Sequence, residues 1–126
     1  MANWFTMNFP PSRHAIENEL RLAFWSAGFG QVWITCTKAE APYQCQGLWA
    51  DNSFQVEWEP RQYVQLKMKE ANQTVLEAFE KILKHRALAA YQSDGGVIVE
   101  WRTQGGNARF EELQSQGVAE LQRMNA

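Results

Sequence analysis

Thiol and imidazole groups are scarce in this 126-residue chain, which has two cysteines and two histidines. Structural zinc takes four such ligands, usually including a Cys-x-x-Cys pair, but Cys36 and Cys45 are widely spaced and His14 and His85 are isolated. No metal centre and no cofactor is expected. An excess of basic residues is missing as well: Lys and Arg number 12 against 14 Asp and Glu, a formal charge of −2. Duplex nucleic acid and anionic membrane surfaces both call for a basic face, so neither is an expected partner. No apolar run approaches the roughly 20 residues needed to span a bilayer. The opening "MANWFTMNFPPSR" lacks the basic start and long apolar stretch of a signal peptide, and a cytoplasmic protein is expected. The short turns "GFGQ" and "SDGG" lack the following helix that a phosphate-binding loop requires.

What the chain does have is the 45% hydrophobic content of a globular protein, at a length suited to one domain with its own core. In residues 1–11, Phe5, Met7 and Phe9 alternate like a strand before Pro10 and Pro11, which suggests an edge strand or a docking arm. Residues 12–126 read as a single α+β domain. Ser12 can cap a helix running to about Ala27 with Gly28 as its stop; Ile16, Leu20, Ala23, Phe24 and Ala27 share its buried stripe, and Trp25 falls off it.

Four runs of period two follow, "QVWITCTK", "YQCQGLWA", "SFQVEWE" and "YVQLKMK", separated by turn-type residues. They predict an antiparallel meander. The simplest turn lengths put Val32, Ile34 and Cys36 opposite Trp49, Gly47 and Cys45. A two-residue turn at Asp51-Asn52 then sets Trp49, Gly47 and Cys45 against Phe54, Val56 and Trp58. A three-residue turn at 60–62 brings Phe54, Val56 and Trp58 to Met68, Leu66 and Val64. One face is apolar throughout. The other carries glutamines, threonines and charges, with Glu57 near Lys67, and on it Trp33 and Leu48 are adjacent large apolar groups.

Thr74 and Glu77 form a capping box for a second helix running to about His85. "LAAYQ" and "VIVEWRT" flank the hairpin signal "SDGG", and Asn107 can cap a last helix that turns Phe110, Leu113, Val118, Leu121 and Met124 inward despite Gly117. The expected order is α-β-β-β-β-α-β-β-α, a curved antiparallel sheet with helices mainly on one face. In element order this is similar to the small acidic chaperones of type III secretion, a resemblance that implies a protein-holding role and carries no motif.

Three chemistries could be built on this frame. Asp51, Glu57 and Glu59 suggest metal-assisted hydrolysis, but no D…ExK pattern accompanies them, and Glu57, like Glu100 beside Arg102, reads as a wetted strand face. Cys36 opposite Cys45 points to a buried, reduced and inert pair. Trp33 beside Thr35, with Lys67 and Lys69 two or three strands away, offers a single stacking platform for single-stranded nucleic acid, the alternative function. The strongest positive signal is apolar surface left after the core is filled: Trp33, Leu48, Trp25, and Trp4, Phe5 and Phe9 of the arm. It predicts a non-enzymatic protein-binding module of the inhibitor, immunity-protein or chaperone kind, holding another protein or its own copy through these aromatics and a free sheet edge.

Overall fold

Residues 12–93 and 95–123 are described by a computed structural model of the chain. Helix α1 (Arg13–Ser26) starts where the Ser12 Oγ accepts from the Ala15 N–H at 3.3 Å, and it ends before Gly28, whose φ of 86° suits a residue without a Cβ. The meander follows as β1 (Trp33–Lys38), β2 (Tyr43–Trp49), β3 (Asn52–Glu59) and β4 (Tyr63–Met68). Helix α2 (Gln73–Leu83) leads to the hairpin β5 (Ala89–Ser93) and β6 (Gly96–Arg102), then to α3 (Gly106–Ser115) and β7 (Ala119–Arg123). The strands form one antiparallel sheet in the order β1-β2-β3-β4-β6-β5-β7, an α+β architecture.

The hairpin does not simply extend the meander. β6 pairs with β4, and β5 lies beyond it, so α2 carries the chain across one strand position. β5 thereby gains a free side, which β7 fills: Ala89 pairs with Arg123 and Ala90 with Gln122. The expected long third helix is corrected here. Gly117 adopts φ 70° and its N–H donates to the Gln114 carbonyl, closing α3 after Ser115 and releasing Leu121 into a seventh strand; Met124 lies outside the described residues. Two caps are also corrected. Asn72, not Thr74, caps α2 by accepting from the Val75 N–H at 3.0 Å, because Asn serves this position at least as well as Thr. Gly105, not Asn107, precedes α3.

Two of the three expected registers hold, with Ile34 opposite Gly47, Cys36 opposite Cys45, Phe54 opposite Met68 and Trp58 opposite Val64. The β2–β3 pairing is displaced by two residues. Its turn is Ala50-Asp51, both at positive φ (48° and 65°), as a tight hairpin with the sheet's twist demands. Gly47 therefore faces Phe54, and a Cβ built on Gly47 would fall 2.2 Å from the Phe54 ring. The ring lies where only glycine leaves room. A shift of two preserves the alternation, so the apolar face survives intact. Gly47→Ala is expected to cost about 1–3 kcal/mol by pushing that ring into its neighbours; urea unfolding with an unchanged midpoint would show that the ring has somewhere else to go.

The main core lies between this face and helices α1 and α2. Phe24 stacks on Phe54 with centroids 5.9 Å apart, and Phe79 meets both rings edge-on at 5.4 and 5.5 Å. α3 stands on the opposite face, over β6 and β5, where Leu113, Leu88, Ala89 and Tyr91 form a smaller buried group apart from the main core. The second face is thus half covered, and among the described residues no element covers the half spanning β1 to β4.

Candidate binding face

The covered half holds the main departure from the charge pattern read in the sequence. Glu100, expected on a wetted strand face, is 0% exposed. Arg109 of α3 grips it side-on, with Nε donating to Oε2 at 2.9 Å and Nη2 to Oε1 at 3.2 Å. Gln65 Nε2 donates to Oε1 at 2.6 Å, and Arg102 Nε approaches Oε2 at 3.4 Å. The carboxylate is saturated with donors, which is the condition for burying it. Burial works against the charge on Arg109, but the bond to Glu100 and the attraction behind it outweigh that and raise its pKa. This cluster pins α3 to the sheet and offers no open coordination position.

Glu57, the other glutamate of a Val-Glu-Trp triplet, stands in the open half. It accepts from Gln44 Nε2 at 2.7 Å and from the Tyr63 hydroxyl at 2.9 Å, and not from Lys67. Burial, and then the bond to Glu57, raise the Tyr63 pKa to about 12. Because the folded value lies above the unfolded one, the stabilisation from protonated Tyr63 is complete below pH 10.0 and is lost as pH rises through about 12. Tyr63→Phe should therefore flatten the alkaline limb of a stability-versus-pH curve in that window, and an unaltered limb would assign it to other groups. Among the described residues, no three His, Cys, Asp or Glu side chains converge to hold a metal ion.

Cys36 and Cys45 face one another across β1 and β2, both buried and both free thiols. Burial, with Cys36 beside it, pushes the Cys45 thiol far above its ordinary range, so it is a poor nucleophile. His14 bonds Asn18 through its ring, and His85 contributes its carbonyl to the Trp101 indole N–H at 2.9 Å.

β1 is one of the two edge strands of the sheet. Its outward Cys36 N–H donates to Glu17 Oε2 at 2.8 Å, and its Ile34 carbonyl accepts from Arg21 Nη2 at 3.2 Å. Two side chains of α1 thereby occupy two of the backbone groups that a strand docking on β1 would need.

The open half of the face is where the exposed apolar residues meet. Trp33 and Leu48 are direct cross-strand partners, 66% and 42% exposed, and no described element covers them. They border an open trough of about 730 Å³ that also contains Thr35, Gln46, Gln55, Lys67 and Lys69. Trp25, 72% exposed, is not part of it: it projects from α1, which packs on the other face of the sheet. Leu22, also exposed on α1, was missed in the sequence because it falls between the polar positions of that helix without a stripe of its own. Trp4, Phe5 and Phe9 lie outside the described residues. No helix among the described residues is long and apolar enough to cross a membrane. Compared with protein-family models, with curated proteins and with solved structures, the chain finds no match in any of the three.

Proposed function

We propose that the chain is a non-enzymatic protein-binding module, of the inhibitor, immunity-protein or chaperone-like kind, whose contact surface is the open sheet face centred on Trp33 and Leu48. The carrying observation is that paired exposure: two large apolar side chains stand side by side on a face left uncovered by the described helices. A tryptophan in such a position loses a large apolar area to water when a partner covers it, and residues of this kind dominate binding energies. The buried free thiols of Cys36 and Cys45 suit the cytoplasm as its place of action.

Trp33→Ala is the decisive variant. Folding stability should change by no more than about 0.5 kcal/mol, as for other surface substitutions. Capture of a partner protein from the native host's lysate, or self-association in sedimentation if the partner is a second copy, should weaken by about 2 kcal/mol or more. A large fall in the thermal midpoint with capture intact would make Trp33 a structural residue and defeat the proposal.

A second reading has one observation in its favour. Thr35, Lys67 and Lys69 line the same trough as Trp33, as single-stranded nucleic-acid binding would require. It predicts salt-sensitive quenching of tryptophan fluorescence by an oligonucleotide, and a flat titration at low salt would dismiss it.

A further inference from the structure

Resting on the protein-binding reading, we infer that the occupant of the open face is an acidic protein segment, extended across the strands, with one apolar residue set on Trp33 and Leu48 and carboxylates reaching Lys67 and Lys69. The charge distribution carries the argument. The chain as a whole has net charge −2, yet among the described residues lining the trough the charged groups are Lys67 and Lys69, and none is a carboxylate. The arginines near the sheet have carboxylate partners: Arg21 pairs with Glu17, and Arg102 and Arg109 pair with Glu100. Neither lysine forms an ion pair among the described residues. Glu57, a carboxylate that shares a depression with Lys67 on this face, is turned to Gln44 and Tyr63 instead. Asp51 and Glu70 share an adjoining depression with Lys69.

Spacing narrows the occupant. Leu48 pairs with Ser53, and the β3–β4 ladder carried one residue past Phe54 and Met68 sets Lys69 beside Ser53, so Trp33 and Lys69 end the same row. Three strand spacings make that row roughly 14 Å long, the reach of about four extended residues. Beside it, the next row on the same face runs from Thr35 through Gln46 and Gln55 to Lys67 and offers amide and hydroxyl groups that can bond a peptide backbone. Leu48 argues against a nucleic-acid strand. A branched aliphatic group next to one indole makes a recess for a side chain, whereas successive bases stack on successive aromatic rings.

The test uses the full chain, isotope-labelled for amide NMR, and three probes: a synthetic peptide with one leucine followed four residues later by paired glutamates, its counterpart with lysines in place of glutamates, and oligothymidylate. Saturable shifts at the Trp33 indole and at Lys67 with the glutamate peptide alone are expected, weakening as salt is raised. The double variant Lys67→Glu, Lys69→Glu should lose roughly tenfold in affinity for the glutamate peptide and turn its preference to the lysine peptide. Equal responses to both peptides, or no saturable response to the glutamate peptide, would overturn the inference. A stronger response to oligothymidylate that the double variant abolishes would replace it with the nucleic-acid reading. If a host protein is captured equally by wild type and the double variant but not by Trp33→Ala, the binding face stands and its acidic occupant falls. Capture that survives Trp33→Ala removes both.

Discussion

Arg109→Ala should lower folding stability by about 3–5 kcal/mol, toward the smaller figure, because it leaves a carboxylate buried beneath α3 without its main counter-charge. Glu100 is 0% exposed, and Arg109 supplies two of its bonds, at 2.9 and 3.2 Å. Gln65 and Arg102 remain in the variant as partial compensation, which is why the lower end is favoured. Replacing both partners with leucine tests the same physics from the other side. Without a charge to desolvate, Glu100→Leu with Arg109→Leu should be near neutral or even stabilising. Urea unfolding of the single and double variants measures both, and a loss below about 1 kcal/mol in Arg109→Ala would mean that Glu100 is solvated or protonated once the arginine is gone.

Phe79→Ala should cost about 3–5 kcal/mol through lost transfer energy and the cavity left behind. Its ring lies within 5.4 Å of Phe24, 5.5 Å of Phe54 and 6.2 Å of Trp101, so it is the shared neighbour of α1, β3 and β6. Collapse into that space is hindered on three sides. Phe54 is additionally pressed over Gly47 at the back of the strand that carries Leu48, so loosening it is expected to speed amide exchange along β2 as well as lower the unfolding midpoint. A loss under about 1 kcal/mol would show that the aromatic cluster repacks.

Most of the architecture was legible because it rests on local rules. Period-two runs mark β1 to β4, Ser12 and Gly28 bound α1, and the same apolar alternation that named the core face left Trp33 and Leu48 facing outward together. Where two turn positions were chemically equivalent, the pattern could not choose between them. The β2–β3 register moved by two, a displacement invisible to alternation and decided by the fit of Phe54 over Gly47. β7 was missed because "AELQR" is made of strong helix formers, and it became a strand because β5 had an open side, tertiary pairing overriding local propensity.

The clearest division between sequence and tertiary structure is the repeated Val-Glu-Trp. In both copies, strand alternation alone decides that Val56, Trp58, Val99 and Trp101 enter the core and that the glutamate points the other way. What lies on that other side is not a local matter. α3 folds over Glu100 and supplies Arg109, whereas no described helix reaches Glu57, which stays on the open half near Trp33's trough with Gln44 and Tyr63 as partners. A side chain's direction follows from its own backbone. Whether that direction ends in water, in an ion pair or at a partner's surface depends on residues distant in sequence, here Gly117 ending α3 and β7 anchoring it beside β5.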